Sequence, residues 1–236
     1  HAPSFLISPI EKNISYSLKH VHILSETHTT TIIEYKGVHI TIPLPGKFNV
    51  SNALAALTLA HELGISTEDA KKGIESLSLI RGRVERVECG QNFTVIVDYA
   101  HTDDSLRKLY ETFPTSRKIA VLGSTGGGRD SWKRPVLGKI ADEYCDEIII
   151  TNEDPYDEDP LKIINEVAHG VARHTPHIII NRREAIAYAI SVAHVNDTVL
   201  ITGKGTDPYI MGPHGTKVVW DDADVAREEL QKVLNK

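Results

Sequence analysis

The chain has 236 residues and a mass of 26.1 kDa, enough for one large domain or a domain and a half. Hydrophobic residues make up 41% and charged residues 25%, which excludes a disordered tail, a fibrous repeat and a small disulfide scaffold. The net charge of −6 disfavours nonspecific nucleic-acid binding, and the absence of any run of about 18 apolar residues argues against a membrane span. Cys89 and Cys145 fit no zinc spacing, and no signal peptide is visible. We therefore expect a cytoplasmic protein without a structural disulfide.

The first part of the sequence predicts a small unit of strands followed by helices. Alternating apolar residues over 14–42 predict β-structure with a hairpin turn at Lys36-Gly37. Two helices are predicted next. The first follows Gly46-Lys47-Phe48-Asn49 and runs to about Leu63, and the second covers about residues 67–76 and is capped by Ser66. The sequence opens at His1 and its single methionine is Met211, so we expect a fragment or processed product of a longer chain.

After a hinge at about residues 77–83, short strands and helices alternate. The predicted strands are 84–89, 94–98, 118–123, 147–151, 177–181 and 198–202, and the predicted helices are about 103–112, 135–144, 160–169, 182–192 and 222–234. Continuously apolar strands such as Ile148-Ile149-Ile150 are typical of a sheet that is covered on both faces. The order predicts an α/β fold with a Rossmann-like, doubly wound, mostly parallel sheet.

In such a sheet, ligands bind beyond the carboxyl ends of the strands. Four predicted strands end in polar or glycine-rich loops, at residues 98–101, 123–130, 152–156 and 203–207. The triple-glycine loop suits backbone approach to an anion, although it matches neither a Walker P-loop nor G-x-G-x-x-G. The cations Arg129, Lys133 and Arg134 indicate a carboxylate or phosphate ligand, and the alternative is a flexible surface loop.

Two further groups of polar residues follow predicted strands. Asp98 and His101 suit a general acid–base pair or a ribose contact, or else Asp98 merely ends its strand. Three of the five acids of residues 152–160 have a structural explanation. Asp159 before Pro160 is an ordinary helix cap, and Asp157 and Glu158 suit a helix N-terminus. That leaves Glu153, Asp154 and Tyr156 at the functional edge, with Asp207 after the Gly203-Lys204-Gly205 turn. No set of residues has metal-ligand spacing.

Four motifs, in the same order, resemble those of the Mur ligase family, which adds amino acids to the peptidoglycan precursor. They are Gly46-Lys47-Phe48-Asn49, Gly82-Arg83-Val84-Glu85 followed by Asp98-Tyr99-Ala100-His101, Gly127-Gly128-Arg129-Asp130, and Gly203-Lys204-Gly205 followed by Asp221-Asp222. The resemblance runs from about residue 35 to the end and favours the branch that adds the third residue of the peptide. It implies ATP and Mg²⁺ as cofactors, and UDP-N-acetylmuramoyl-dipeptide and a free amino acid as substrates.

The resemblance also implies two groups of site residues. On the ATP side, Asn49 matches the residue that contacts adenine, Arg83 the one that reaches the terminal phosphate, and Asp98 the one near the ribose. His101 lies in the same motif and is a catalytic candidate beside Arg83. On the amino-acid side, Arg129 matches the arginine that holds the substrate carboxylate. The residues that complete this pocket are Glu153, Asp154, Tyr156, Gly203 and Asp207.

The sequence also departs from the family pattern. The family's P-loop, magnesium ligands and modified lysine are absent, so residues 1–80 match the end of the central ATPase domain and residues 81–236 the C-terminal domain. The chain by itself is therefore expected to be inactive. The family's diaminopimelate signature Asp-Asn-Pro-Arg is replaced by Glu153-Asp154-Pro155-Tyr156. The missing arginine and the acidic edge favour lysine or ornithine over diaminopimelate.

Other hypotheses remain at this stage. The chain could belong to another Mur ligase or to a folylpolyglutamate or cyanophycin synthetase relative. It could instead be a non-catalytic nucleotide-binding module that keeps the fold. A Rossmann dehydrogenase is disfavoured, because no dinucleotide fingerprint follows the first parallel strand.

Overall fold

A computed structural model describes residues 15–77 and 79–235 and divides the chain into two compact units after residue 78. The domain boundary predicted from the sequence, between residues 80 and 81, lies two residues from this division. Predicted β-structure at residue 14 lies outside the described residues. Each unit is described by itself below.

The first unit is a three-stranded antiparallel sheet followed by two helices. Its elements are β1 (His22–Glu26), β2 (Thr31–Tyr35), β3 (Val38–Ile42), α1 (Lys47–Glu62) and α2 (Thr67–Glu75). Alternate residues of β2 are buried, as the period of two predicts, and the apolar ones, Ile33 and Tyr35, pack with Ile40 and Leu54 in a common core. The Ser66 hydroxyl accepts a hydrogen bond from the Asp69 amide at 3.1 Å, which confirms the predicted cap of α2.

The second unit is built on a six-stranded sheet. Its strands are β4 (Glu85–Arg86), β5 (Thr94–Asp98), β6 (Lys118–Leu122), β7 (Glu147–Ile150), β8 (His177–Ile178) and β9 (Thr198–Thr202), in the spatial order β4-β5-β9-β6-β7-β8. All neighbouring pairs are parallel except β4 and β5. The helices are α3 (Asp103–Glu111), α4 (Lys133–Tyr144), α5 (Pro160–Ala168), α6 (Arg182–Ser191) and α7 (Asp222–Leu234).

The predicted fold class is confirmed, and the departures from it are local. The apolar strands β6, β7 and β9 form the centre of the sheet and are buried almost throughout. The predicted strands 84–89 and 177–181 shorten to two residues each, because both lie at the outer edges, where one neighbour is missing. The sequence also missed a two-stranded hairpin of β10 (Tyr209–Met211) and β11 (Lys217–Val219). No helix in the described residues is long and apolar enough to cross a membrane.

Candidate functional site

Asp98 lies at the carboxyl end of β5. Its side chain is buried and accepts hydrogen bonds from backbone amides. One carboxylate oxygen accepts a hydrogen bond from the Val84 amide at 2.8 Å and the other from the Ala100 amide at 2.7 Å. Burial raises the pKa of Asp98, and these two amides together with the charge of Arg83 act in the opposite direction. In this structure, Asp98 therefore anchors the segment that contains Arg83. Its predicted contact with ribose stays a prediction.

The segment around Arg83 has a fixed and unusual backbone. Gly82 and Val84 both have positive φ, at 63° and 47°, which is a strained conformation for a β-branched residue. The Glu85 carboxylate accepts from the Gly82 amide at 2.7 Å, and the Tyr99 amide donates to the Gly82 carbonyl at 2.9 Å. A Cβ atom at Gly82 would lie 2.7 Å from the Thr206 amide nitrogen, so only glycine fits against the loop that follows β9. The result is a loop held from three sides with Arg83 at its tip.

The side chains of Arg83 and His101 both contact the Tyr99 ring. The Arg83 guanidinium lies over the Tyr99 ring, 5.0 Å from its centroid, and the Arg83 side chain is exposed. The His101 ring meets Tyr99 edge-on at 4.8 Å between centroids, and its Nδ1 lies 2.8 Å from the Tyr99 carbonyl oxygen. Both candidates that the sequence assigned to catalysis therefore share one aromatic residue, which the sequence analysis did not single out.

Glu153 follows β7 and lies beneath the loop that follows β6. Its carboxylate accepts a hydrogen bond from the Thr125 hydroxyl at 2.7 Å. A Cβ atom at Gly203 would come within 2.3 Å of Glu153 Oε2, so this carboxyl group also fills the space under the turn after β9. Burial raises the pKa of Glu153, while the Thr125 hydroxyl and the charges of Arg182 and Lys204 favour ionisation. Glu153 thus packs three predicted site loops together.

Asp154 is engaged with a buried lysine. Lys204, only 1% exposed, donates to Asp154 Oδ2 at 2.7 Å, and the Met211 amide donates to Asp154 Oδ1 at 2.8 Å. Asp207 lies 3.6 Å from the same lysine and its side chain is 44% exposed. Of the three acids that the sequence analysis assigned to an acidic pocket edge, only Asp207 therefore remains open to a ligand. Glu153 and Asp154 are internal, because their partners lie in other loops. The sequence alone does not show that these loops come together.

Of the three cations near the triple-glycine loop, one is likewise buried in ion pairs, one is exposed and one is half-buried. Arg134 is 1% exposed and donates to Glu166 at 2.6 Å, to Glu158 at 3.0 Å and to the Thr125 carbonyl at 3.2 Å. The prediction that Arg134 helps to bind an anionic ligand is therefore wrong, and Glu158 serves the loop rather than a helix terminus. Its other oxygen accepts from the Gly128 amide at 3.1 Å. Arg129 is exposed, and Lys133 is half-buried at the start of α4.

Two predicted site residues, Tyr156 and Asn49, make contacts that hold the local backbone in place. Tyr156 has a positive φ of 52°, its amide donates to the Met211 carbonyl at 3.2 Å, and its ring packs against Gly127. Asn49, in the first unit, is buried near the start of α1, and its side-chain Nδ2 donates to the Pro45 carbonyl at 2.8 Å. The roles predicted for Arg129, Tyr156 and Asn49 stay predictions.

Sequence reasoning missed a fully buried ion pair at the same edge of the sheet. Arg182 donates to both oxygens of Asp222, at 2.8 and 2.6 Å, and to the Thr202 carbonyl at 2.8 Å. The Trp220 indole donates to Asp222 at 2.7 Å. The available signal was the position of Arg182 in the first turn of a helix, where the macrodipole disfavours a cation that has no partner. The described residues contain no group of three or more acids, histidines or cysteines that could hold a metal ion.

These features define a doubly wound α/β domain in which the loops at the carboxyl ends of the strands are joined by buried side chains. Residues 82–205 match the family described as Mur ligase, glutamate ligase domain. Over 94% of its length the chain is 39% identical to a UDP-N-acetylmuramoyl-L-alanyl-D-glutamate–2,6-diaminopimelate ligase of Bacillus licheniformis, and over its whole length 38% identical to that of Bacillus velezensis. The chain therefore belongs to the Mur ligase family.

The chain spans about half the length of these relatives, 46% of the first and 48% of the second. Among solved structures, a ligase of the same name superposes with a TM-score of 0.65 at 27% identity, covering 94% of this chain and 47% of that one. The MurC ligase of Thermotoga maritima, at 20% identity and a TM-score of 0.60, shares the fold.

Proposed function

We propose that this chain is the C-terminal part of a MurE-type ligase, which uses ATP to join an amino acid to UDP-N-acetylmuramoyl-dipeptide. The observation that supports this most is the exposed guanidinium of Arg83, presented at the strand ends by a loop that Asp98 and Glu85 hold from below. A fixed cation suits a reaction in which a carboxylate is phosphorylated and negative charge develops on the phosphoryl oxygens. The first unit is then the end of the central ATPase domain.

ATP fits the residues present only in part. Arg83 would meet the terminal phosphate, while Asn49 and Asp98 already hold backbone groups, so any contact with the nucleotide adds to that role. Bound ATP supplies the phosphoryl group that activates the substrate carboxylate. For Mg²⁺ the described residues offer no ligand cluster, and the 236 residues contain no P-loop, so both would depend on residues outside this chain.

The incoming substrate is proposed to be a diamino acid. Arg129, exposed beyond the triple-glycine loop, would pair with its α-carboxylate, and the half-exposed Asp207 would face an ammonium group. Since Glu153 and Asp154 are engaged elsewhere, the prediction of lysine over diaminopimelate now rests on Tyr156. A tyrosine forms no bidentate pair with a distal carboxylate, which diaminopimelate carries and lysine lacks.

The test is an assay of the intact gene product that joins these residues to their own upstream half. We expect ADP release that requires both UDP-N-acetylmuramoyl-dipeptide and an amino acid, and none from residues 1–236 alone. Within an amino-acid panel, L-lysine is expected to give a higher kcat/KM than meso-diaminopimelate. A preference for meso-diaminopimelate would overturn the Tyr156 argument alone. An upstream half without a P-loop, or no dependence on the dipeptide substrate, would overturn the proposed function.

A further inference from the structure

Arg83 owes its orientation to a side chain that has no assigned role. The backbone of residues 82–84 is fixed by its hydrogen bonds and positive φ angles, but an arginine has four further rotatable bonds. Within residues 79–235 the guanidinium makes no ion pair or hydrogen bond, and its contact is with the face of Tyr99. Within this unit, the aromatic ring therefore defines the position of the cation.

Tyr99 is itself held so that its ring can serve as a fixed platform. A Cβ atom at Gly205 would lie 2.8 Å from Tyr99 Cβ and 2.9 Å from Tyr99 Cδ2, so the turn after β9 packs directly on this side chain. The His101 ring closes another side at 4.8 Å and 68°. The Tyr99 amide is bound to the Gly82 carbonyl, which couples the ring to the very loop that carries Arg83.

The contact is one of a cation with an aromatic face and does not depend on the hydroxyl group. Burial and the nearby carboxylate of Asp207 raise the pKa of Tyr99, so the phenol is neutral at physiological pH. A neutral ring attracts the guanidinium through its quadrupole, and phenylalanine would do the same. The two substitutions Tyr99→Phe and Tyr99→Leu therefore separate the ring from the hydroxyl group.

We propose that Tyr99 is a positioning residue that holds the Arg83 guanidinium over its ring, ready to meet the phosphoryl group. This inference rests on the proposed function for its catalytic consequence. An arginine that must first be ordered contributes less in the transition state, where the negative charge develops. Loss of the ring should therefore lower kcat rather than raise the KM for ATP.

The kinetic test uses the intact gene product and a double-mutant cycle. Tyr99→Leu is expected to lower kcat about tenfold with the KM for ATP within about twofold, whereas Tyr99→Phe stays within about twofold of the wild type. In an Arg83→Ala background, Tyr99→Leu should have no further effect on kcat. The control is Tyr209→Leu, which removes a comparable ring contact to Lys217 at 5.3 Å and should leave kcat unchanged.

Outcomes that overturn the proposal are specific. They are an unchanged kcat in Tyr99→Leu, an equal fall in Tyr99→Phe, or a full additional effect in the Arg83→Ala background. NMR of residues 1–236 tests the contact without any ligase activity. The Arg83 side-chain signals should carry a ring-current shift that Tyr99→Leu removes and Tyr99→Phe keeps. An unshifted Arg83 in the wild type overturns the proposal, whereas an inactive wild type with a shifted Arg83 overturns only the proposed function.

Discussion

The carboxyl group of Glu153 is buried against Gly203 and accepts its hydrogen bond from a neutral hydroxyl, that of Thr125. Burial raises its pKa, so ionisation of this group opposes folding. The contribution of protonated Glu153 to the free energy of unfolding is fully present below the pKa that this group has in the unfolded chain, about 4.3. It is lost as the pH rises through the folded value. Glu158 behaves in the opposite sense, because the Gly128 amide and the Arg134 guanidinium lower its pKa.

Glu153→Gln is therefore expected to raise the free energy of unfolding at pH 7 and to leave it almost unchanged at pH 4. Glutamine keeps an oxygen for the Thr125 hydroxyl and removes the buried charge. The matched control, Glu158→Gln, should destabilise the protein at pH 7, with the difference shrinking as the pH falls below about 4. Urea denaturation of both variants from pH 3 to pH 8 measures this. A Glu153→Gln variant that is less stable than the wild type at pH 7 would contradict the argument.

Arg83 and Arg81 lie two positions apart and provide a second matched comparison. Arg81 is exposed and pairs with Asp221 at 2.5 Å, a surface contact of about 0–1 kcal/mol. In the intact gene product, Arg83→Ala should lower kcat by roughly 10²-fold or more, by analogy with a lost oxyanion donor, and Arg81→Ala should leave it unchanged. Thermal melts of both variants should match the wild type. Equal rates for the two variants would remove Arg83 from the reaction.

At the scale of elements, α4 and α5 pack so closely that their contact admits no side chain at Gly138. A Cβ atom there would lie 1.9 Å from the Val167 carbonyl oxygen. Gly73, in α2, provides the contrast, because it is exposed and a Cβ atom there would meet nothing within 4 Å. The same substitution should therefore have opposite effects in the two helices.

Gly138→Ala is expected to lower the free energy of unfolding by roughly 1–3 kcal/mol, the usual effect of overpacking. Gly73→Ala should raise it by about 0.5–1 kcal/mol, because alanine loses less backbone entropy in a helix. Chemical denaturation of the two variants, followed by circular dichroism, measures both effects. If the two variants shift in the same direction, the close packing of α4 is not what requires glycine.

The elements also show which parts of the structure a sequence can predict. Helix starts such as Ser66 and Asp159 were predictable, because a cap depends on residues two or three positions away. The ends of β4 and β8 were not, since the length of an edge strand depends on distant ladder partners. In the site, the sheet rule placed the loops correctly. The sequence did not show which charged side chains face outward, because Lys204 pairs with Asp154, fifty positions away in the chain.

At the scale of the whole molecule, the strand order determines when the sheet can close during synthesis. β9 lies in the middle of the six strands, between β5 and β6, yet it is the last of the six along the chain. A ribosome that has made residues up to 197 has released β5 and β6 with an apolar edge on each, and neither has its partner.

Nascent chains stalled after residue 197, with a spacer that clears the exit tunnel, should therefore be cut rapidly by protease within residues 79–197, whereas chains extended to residue 235 should resist. Equal resistance of the two would mean that β5 and β6 find a stable arrangement without β9. The gap is filled only when Thr198–Thr202 emerges from the ribosome. The facing edges of β5 and β6 therefore stay unpaired until β9 has been made. A chaperone that shields apolar edges would therefore be needed most before this strand is made, and a nonsense mutation between β6 and β9 would yield an aggregation-prone sheet rather than a smaller folded one.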